Sequence, residues 1–81
     1  MMVQVKLFAG ARQRLGQSEV QIDLPDGATV GQLRQELTRQ YGELSDLLPH
    51  IMFAVNQDYA NDTSVIPANA EIAIIPPVSG G

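Results

Sequence analysis

Apolar and polar residues alternate from the start of the chain: Val3, Val5 and Leu7 share one parity, and Gln4, Lys6 and Phe8 the other. This period of two is that of a strand with one covered face, so the first element is predicted as β. Residues 9–16 lose the period, and Gly10 and Gly16 mark them as a polar turn. Beyond it Val20, Ile22 and Leu24 alternate with Glu19, Gln21 and Asp23, which predicts a second strand and a hairpin with the first.

The period then changes. Pro25, Asp26 and Gly27 break the chain, and Thr29 precedes Gln32 by three residues, the spacing at which each side chain satisfies an unpaired backbone donor of a helix start. Val30, Leu33, Leu37 and Tyr41 follow at helical steps, with Arg34, Gln35, Thr38 and Arg39 facing away. Gly42 suits the left-handed position that ends a helix. Leu44, Leu47 and Leu48 suggest a short further helical piece, stopped by Pro49. Period two returns at Ile51, Phe53 and Val55; because Met52 and Ala54 make the other face apolar as well, this strand is expected to be central or covered on both sides. Asn56, Gln57 and Asp58 turn the chain, and residues 59–69, rich in Asn, Asp, Thr, Ser and Pro, read as loop with at most a short edge strand. Glu71, Ile72, Ala73, Ile74 and Ile75 form an apolar, β-branched run that reads as a buried final strand.

Two strands, one amphipathic helix, a strand, a weak strand and a last strand make an α+β domain, a mixed sheet of four or five strands covered by one main helix. This is the β-grasp arrangement of ubiquitin-like domains. A ferredoxin-like alternative needs a second full helix, which residues 59–69 do not supply. The predicted division is a β-grasp domain over residues 1–75 and an extended tail over residues 76–81.

Composition narrows the function. Apolar residues are 44% and charged residues 17% of 81, which fits a folded domain and not a disordered chain. The net charge is −4, and Lys6, Arg12, Arg14, Arg34 and Arg39 are scattered singly, so no basic stripe exists to neutralise a phosphate backbone and no nucleic-acid partner is expected. No run approaches the roughly 20 apolar residues of a membrane span, and no charged-then-apolar leader is visible, so a cytoplasmic protein without a membrane partner is expected. With no cysteine, thiolate catalysis by the chain itself is excluded. His50 is the single histidine and has no neighbour with which to hold a metal, so no metal site is expected; Asp58 and Asp62 are expected to solvate a loop.

The chain reads Pro76-Pro77-Val78-Ser79-Gly80-Gly81 at its end. Two prolines with fixed φ favour an extended exit from the sheet, and two glycines make a tip free of side chains, able to enter a channel too narrow for other residues. A glycine pair by itself is also what an unordered terminus would carry. The run Ile74-Ile75-Pro76-Pro77-Val78-Ser79-Gly80-Gly81, with Leu7-Phe8-Ala9 and Arg12 after the first strand and Ala54-Val55-Asn56-Gln57 after the third, resembles the small subunit of molybdopterin synthase, the MoaD family, along essentially the whole chain. The chain departs from that pattern in having Ile74 and Ile75 where aromatics are common, and Asn69-Ala70-Glu71 where an Asp-Gly turn is common.

The resemblance implies a sulfur carrier. An ATP-dependent adenylating enzyme would activate the Gly81 carboxylate, a sulfur donor would displace AMP to give a thiocarboxylate, and the tail would enter the synthase large subunit, which holds the pterin precursor. The chain would then be a sulfur-donating subunit without a side-chain catalyst, binding no cofactor of its own, within a heterotetramer. Phe8, Arg12, Ile75, Pro76, Pro77, Val78, Ser79 and Gly80 are the positions expected to meet partners. Carriers serving thiamine synthesis or transfer-RNA thiolation share the tail and its activation, and a ubiquitin-like modifier would join Gly81 to a lysine; both stand as alternatives.

Overall fold

The computed structural model describes residues 1–75. Strand β1 (Met2–Lys6) pairs antiparallel with β2 (Glu19–Asp23), from Met2 opposite Asp23 to Lys6 opposite Glu19. The last strand, β5 (Glu71–Ile75), lies parallel to β1 on its other side, with Lys6 opposite Ala73. It pairs antiparallel with β3 (Met52–Val55), whose hairpin partner β4 (Asp58–Ala60) forms the far edge. The order β2-β1-β5-β3-β4 puts β5 at the centre of a mixed five-stranded sheet. Asn56 and Gln57, both at positive φ, make the two-residue β3–β4 turn, whose twist matches that of the flanking strands.

Helix α2 (Val30–Gln40) covers one face. Val30, Leu33 and Leu37 meet Val5, Ile22, Phe53 and Ile72 in a core where each is essentially without exposed surface. Each such side chain contributes about 1.5–3 kcal/mol by leaving water. The helix start follows the predicted chemistry: the Gln32 N–H donates to Thr29 Oγ1 at 3.3 Å and the Thr29 N–H to Gln32 Oε1 at 2.8 Å. The next two free donors are satisfied by a loop, Val30 N–H to the Ser64 carbonyl and Gly31 N–H to the Asp62 carbonyl, both at 2.9 Å. That approach explains Gly31, since a Cβ there would lie 3.2 Å from the Asp62 oxygen.

Five expectations change. Residues 9–16 are no polar turn: Ala9–Leu15 form helix α1, rich in residues that suit a helix, with Ala11 buried and Leu15 packed against the core. Gly16, at φ 66°, ends it in the left-handed conformation and donates to the Arg12 carbonyl. Gly42 does not play that part for α2; Tyr41 is the cap, at φ −125°, and Gly42 opens a 3₁₀ turn (Gly42–Leu44). Pro49 sits within a second 3₁₀ turn (Leu48–His50) instead of stopping one, because an early helical position asks no N–H of it. Arg34 does not face away. Its guanidinium lies 4.9 Å from the Phe53 ring centre, donates to the carbonyls of Leu48 and Ile51, and pairs with Asp62 at 2.9 Å. Asp62 therefore anchors its loop to α2 and does more than solvate it.

Candidate functional site

Alternation gives the sheet a second face. In β5, Ile72 and Ile74 enter the core while Ala73 and Ile75 remain half-buried on the opposite side. The register sets Ala73 beside Lys6 of β1 and Ala54 of β3, Ala54 beside Tyr59 of β4, and Ile75 beside Met52. No described helix covers this row. Met52 is 48% and Tyr59 66% exposed, so this half-sheet presents apolar surface to solvent. The β3 strand is thus interior to the sheet as expected, and Ala54 is buried, but Met52 is not covered.

Phe8 joins the same face. It follows Lys6 by two residues, as Ile75 follows Ala73, and Phe8 is still extended at φ −131° and ψ 159° while Leu7 turns into the core. Parallel register therefore brings Phe8 and Ile75 to the same end of the sheet, where β5 hands over to the tail. Ala9, next in line, has φ 49°, which a side chain with a Cβ adopts at a cost of about 1–2 kcal/mol. That kink turns the chain into α1 and leaves Phe8 48% exposed.

Arg12 stands on α1 at the rim of an open polar groove with Gln13, Gln17 and Ser18. It makes no ion pair among the described residues, whereas Arg14 on the same helix is bound to Asp46 and to the Glu43 carbonyl at 3.1 Å. The Arg14 hydrogen bond holds the Asp46 carboxyl below the usual carboxylate range. Lys6 is tied to Glu71 across β1 and β5, Nζ to Oε1 3.3 Å.

Of the residues singled out in the sequence, the structure gathers Phe8 and Ile75 at one end of one face and sets Arg12 on the neighbouring helix. Pro76, Pro77, Val78, Ser79, Gly80 and Gly81 lie outside the described residues. Met52 and Tyr59 are additions. The apolar second face of β3 was the signal for Met52; Tyr59 carried none, because its strand is three residues long.

The sequence matches the ThiS family over residues 5–81, which takes in the end of β1, all of β2 through β5 and the glycine pair. The chain belongs to the ThiS family. Its relatives include a molybdopterin synthase sulfur carrier subunit of Dictyostelium discoideum, 42% identical over 80 residues and covering 95% of this chain and 93% of that one. Another, of Arabidopsis thaliana, is 33% identical over 79 residues, covering 98% and 82%. Among solved structures, SAMP1 of Haloferax volcanii superposes with a TM-score of 0.85 at 30% identity over the full length of both chains. The fold is accordingly the ubiquitin-like β-grasp, as the order of elements predicts.

Proposed function

We propose that this ThiS-family chain is the sulfur carrier of a molybdopterin synthase, acting through a free carboxylate on Gly81. The observation that carries the proposal is the sustained likeness to molybdopterin synthase sulfur carrier subunits, which runs the length of the domain. The geometry is consistent with it: the central strand ends at Ile75, the last described residue, and an apolar face lies beside that end.

In this reading an adenylating enzyme joins the Gly81 carboxylate to AMP with loss of pyrophosphate. A sulfur donor then displaces AMP, leaving a thiocarboxylate. The thiocarboxylate sulfur goes to the pterin precursor held by the large subunit, and hydrolysis of the acyl link restores the carboxylate. The mixed anhydride is needed because a carboxylate oxygen is a poor leaving group. A chain without cysteine acquires its sulfur nucleophile in this way. ATP serves the activating enzyme and is not held by this chain. The apolar face of Phe8, Met52, Tyr59 and Ile75 docks the large subunit, Arg12 meets the activating enzyme, and residues 76–80 pass along the channel. The assembly is a heterotetramer of the cytoplasm.

Extending the chain by one residue beyond Gly81, or deleting Gly81, is expected to abolish thiocarboxylate formation, read by intact-mass spectrometry, with the fold unchanged. Normal thiocarboxylate from the extended chain would overturn the proposal. The likeness to SAMP1 favours one second reading, a protein modifier, in which Gly81 is recovered joined to lysines of other proteins. Mixing thiocarboxylated chain with the synthase large subunit and the cyclic pterin precursor decides between them: dithiolene product supports the carrier, and sulfur delivered instead to a thiazole precursor or transfer RNA would move it to another pathway.

A further inference from the structure

Lys6 is the single lysine of the sequence, and the structure places it on the open face in the middle of the sheet. Its side chain is 43% exposed, and its register neighbour on β5 is the small residue Ala73. Glu71, also exposed, holds Nζ with Oε1 at 3.3 Å. An amine fixed beside a carboxylate on an open shelf is the arrangement an acyl acceptor needs, because the amine must shed a proton to attack and the carboxylate stands where it can take it.

We propose that Lys6 is an acyl-acceptor site, at which the activated C-terminal acyl group of a second copy of this chain forms an isopeptide bond. The inference rests on the proposed activation of Gly81, which supplies the acyl adenylate. In the step, the Lys6 Nζ lone pair forms the bond to the Gly81 carbonyl carbon, the bond from that carbon to the AMP oxygen breaks, and AMP leaves. Of the two protons that the Lys6 ammonium loses, the first passes to Glu71 and frees the lone pair, and the second leaves to solvent as the amide forms. The acyl group is assigned to a second copy because β5 runs parallel to β1, so that Ile75, the last described residue, already lies two residues beyond the position opposite Lys6. Lys6, Ala73, Ala54 and Tyr59 share one row, so a chain acylated there loses its docking face, and a docked partner shields the amine.

The test needs neither activating enzyme nor partner, so its failure is separable from failure of the carrier reading. Full-length chain bearing a C-terminal thioester on Gly81, made by intein cleavage, stands in for the adenylate. It is incubated alone and, separately, with Nα-acetyl-lysine at the same concentration. The expected product is a covalent dimer with a Gly81–Lys6 linkage by peptide mapping, formed about tenfold faster than the acetyl-lysine amide because the amine is positioned. Lys6→Arg, checked as folded by circular dichroism, should form no dimer, and Glu71→Gln should slow it several-fold while Glu71→Asp restores part of the rate. A dimer no faster than the acetyl-lysine amide, a dimer that persists in Lys6→Arg, or an internal loop of monomer mass would overturn the proposal.

Discussion

The two faces of this sheet are made by the same strands and do opposite things. On the helix side Ile72, Ile74 and Phe53 are closed off, and among the described residues no polar or charged side chain is buried with them. On the other side Ala73, Ile75, Met52 and Tyr59 are as apolar, yet no described element packs over them. Hydrophobicity alone therefore does not separate core from interface; what separates them is whether the chain supplies a covering layer. One helix can cover one face, and the surplus apolar positions on the second face are what a partner would bury.

The largest effect is expected where that difference is starkest. Phe53→Ala should lower unfolding free energy by about 3–5 kcal/mol, because it leaves a cavity beneath α2 and removes the ring beneath Arg34. Denaturant unfolding measures it. A loss below about 1 kcal/mol would mean that the helix side is not the closed face described.

Next comes the clasp at the rim of the core. Arg34→Met keeps the stem over Phe53 but strips hydrogen bonds from the carbonyls of Leu48 and Ile51 and the partner from Asp62. The expected loss is about 1–3 kcal/mol, since partly buried acceptors are left unpaired. Arg34→Lys should recover only part of it, one ammonium being unable to serve three acceptors in the geometry of a fork. Equal stability of the Met and Arg proteins would show the clasp to be ornamental.

On the open face the order of effects should reverse. Met52→Lys and Ile75→Lys are expected to change stability by no more than about 1 kcal/mol, as is usual outside a core. Their affinity for the synthase large subunit, measured by isothermal titration calorimetry, should fall at least about tenfold, as for apolar anchors at the centre of an interface. If Ile75→Lys unfolds the domain instead, β5 has one structural face more than alternation assigns it.

These regions also differ in how much of them the sequence discloses. The strands Met2–Lys6, Glu19–Asp23 and Glu71–Ile75 and the box at Thr29 and Gln32 were legible because each rests on a local pattern: period two, or a fixed spacing of polar groups. Helix α1 was not, since seven residues with a glycine among them and only Ala11 buried leave too few apolar positions to display a period. Arg34 was misplaced for a different reason. Helical periodicity sorts residues by polarity, and an arginine that spends its aliphatic stem and ring-stacking face on Phe53 while its nitrogens reach backbone carbonyls is polar by type and inward by position. For the candidate site, Phe8 and Ile75 could be named from their places at strand ends, whereas Tyr59 needed the register that only the folded β3–β4 hairpin supplies.

The smallest effect is electrostatic and belongs to the outer side of the covering helix. Hydrogen bonds from Arg39, and next from Gln40 at 3.0 Å, bring the Glu36 carboxyl from about 4.5 down to about 2. A carboxyl whose folded value lies below its unfolded one stabilises the native state at and above the unfolded value, and that contribution fades as pH falls toward the folded value. The window is therefore from about pH 5 to about pH 2, and stability above it should be flat with respect to this group. The pair is exposed to solvent and screened, so the shift in melting temperature between the natural chain and Glu36→Gln is expected to be small at neutral pH and to vanish near pH 2. It should also shrink in molar salt. Amide protection in α2 should fall with acid before protection in β5 does, because Glu36 acts on the helix and the central strand depends on burial that does not titrate. A difference between the two proteins that grew on acidification would contradict the sign, and an equal early loss in β5 would mean that covering layer and sheet come apart as one unit.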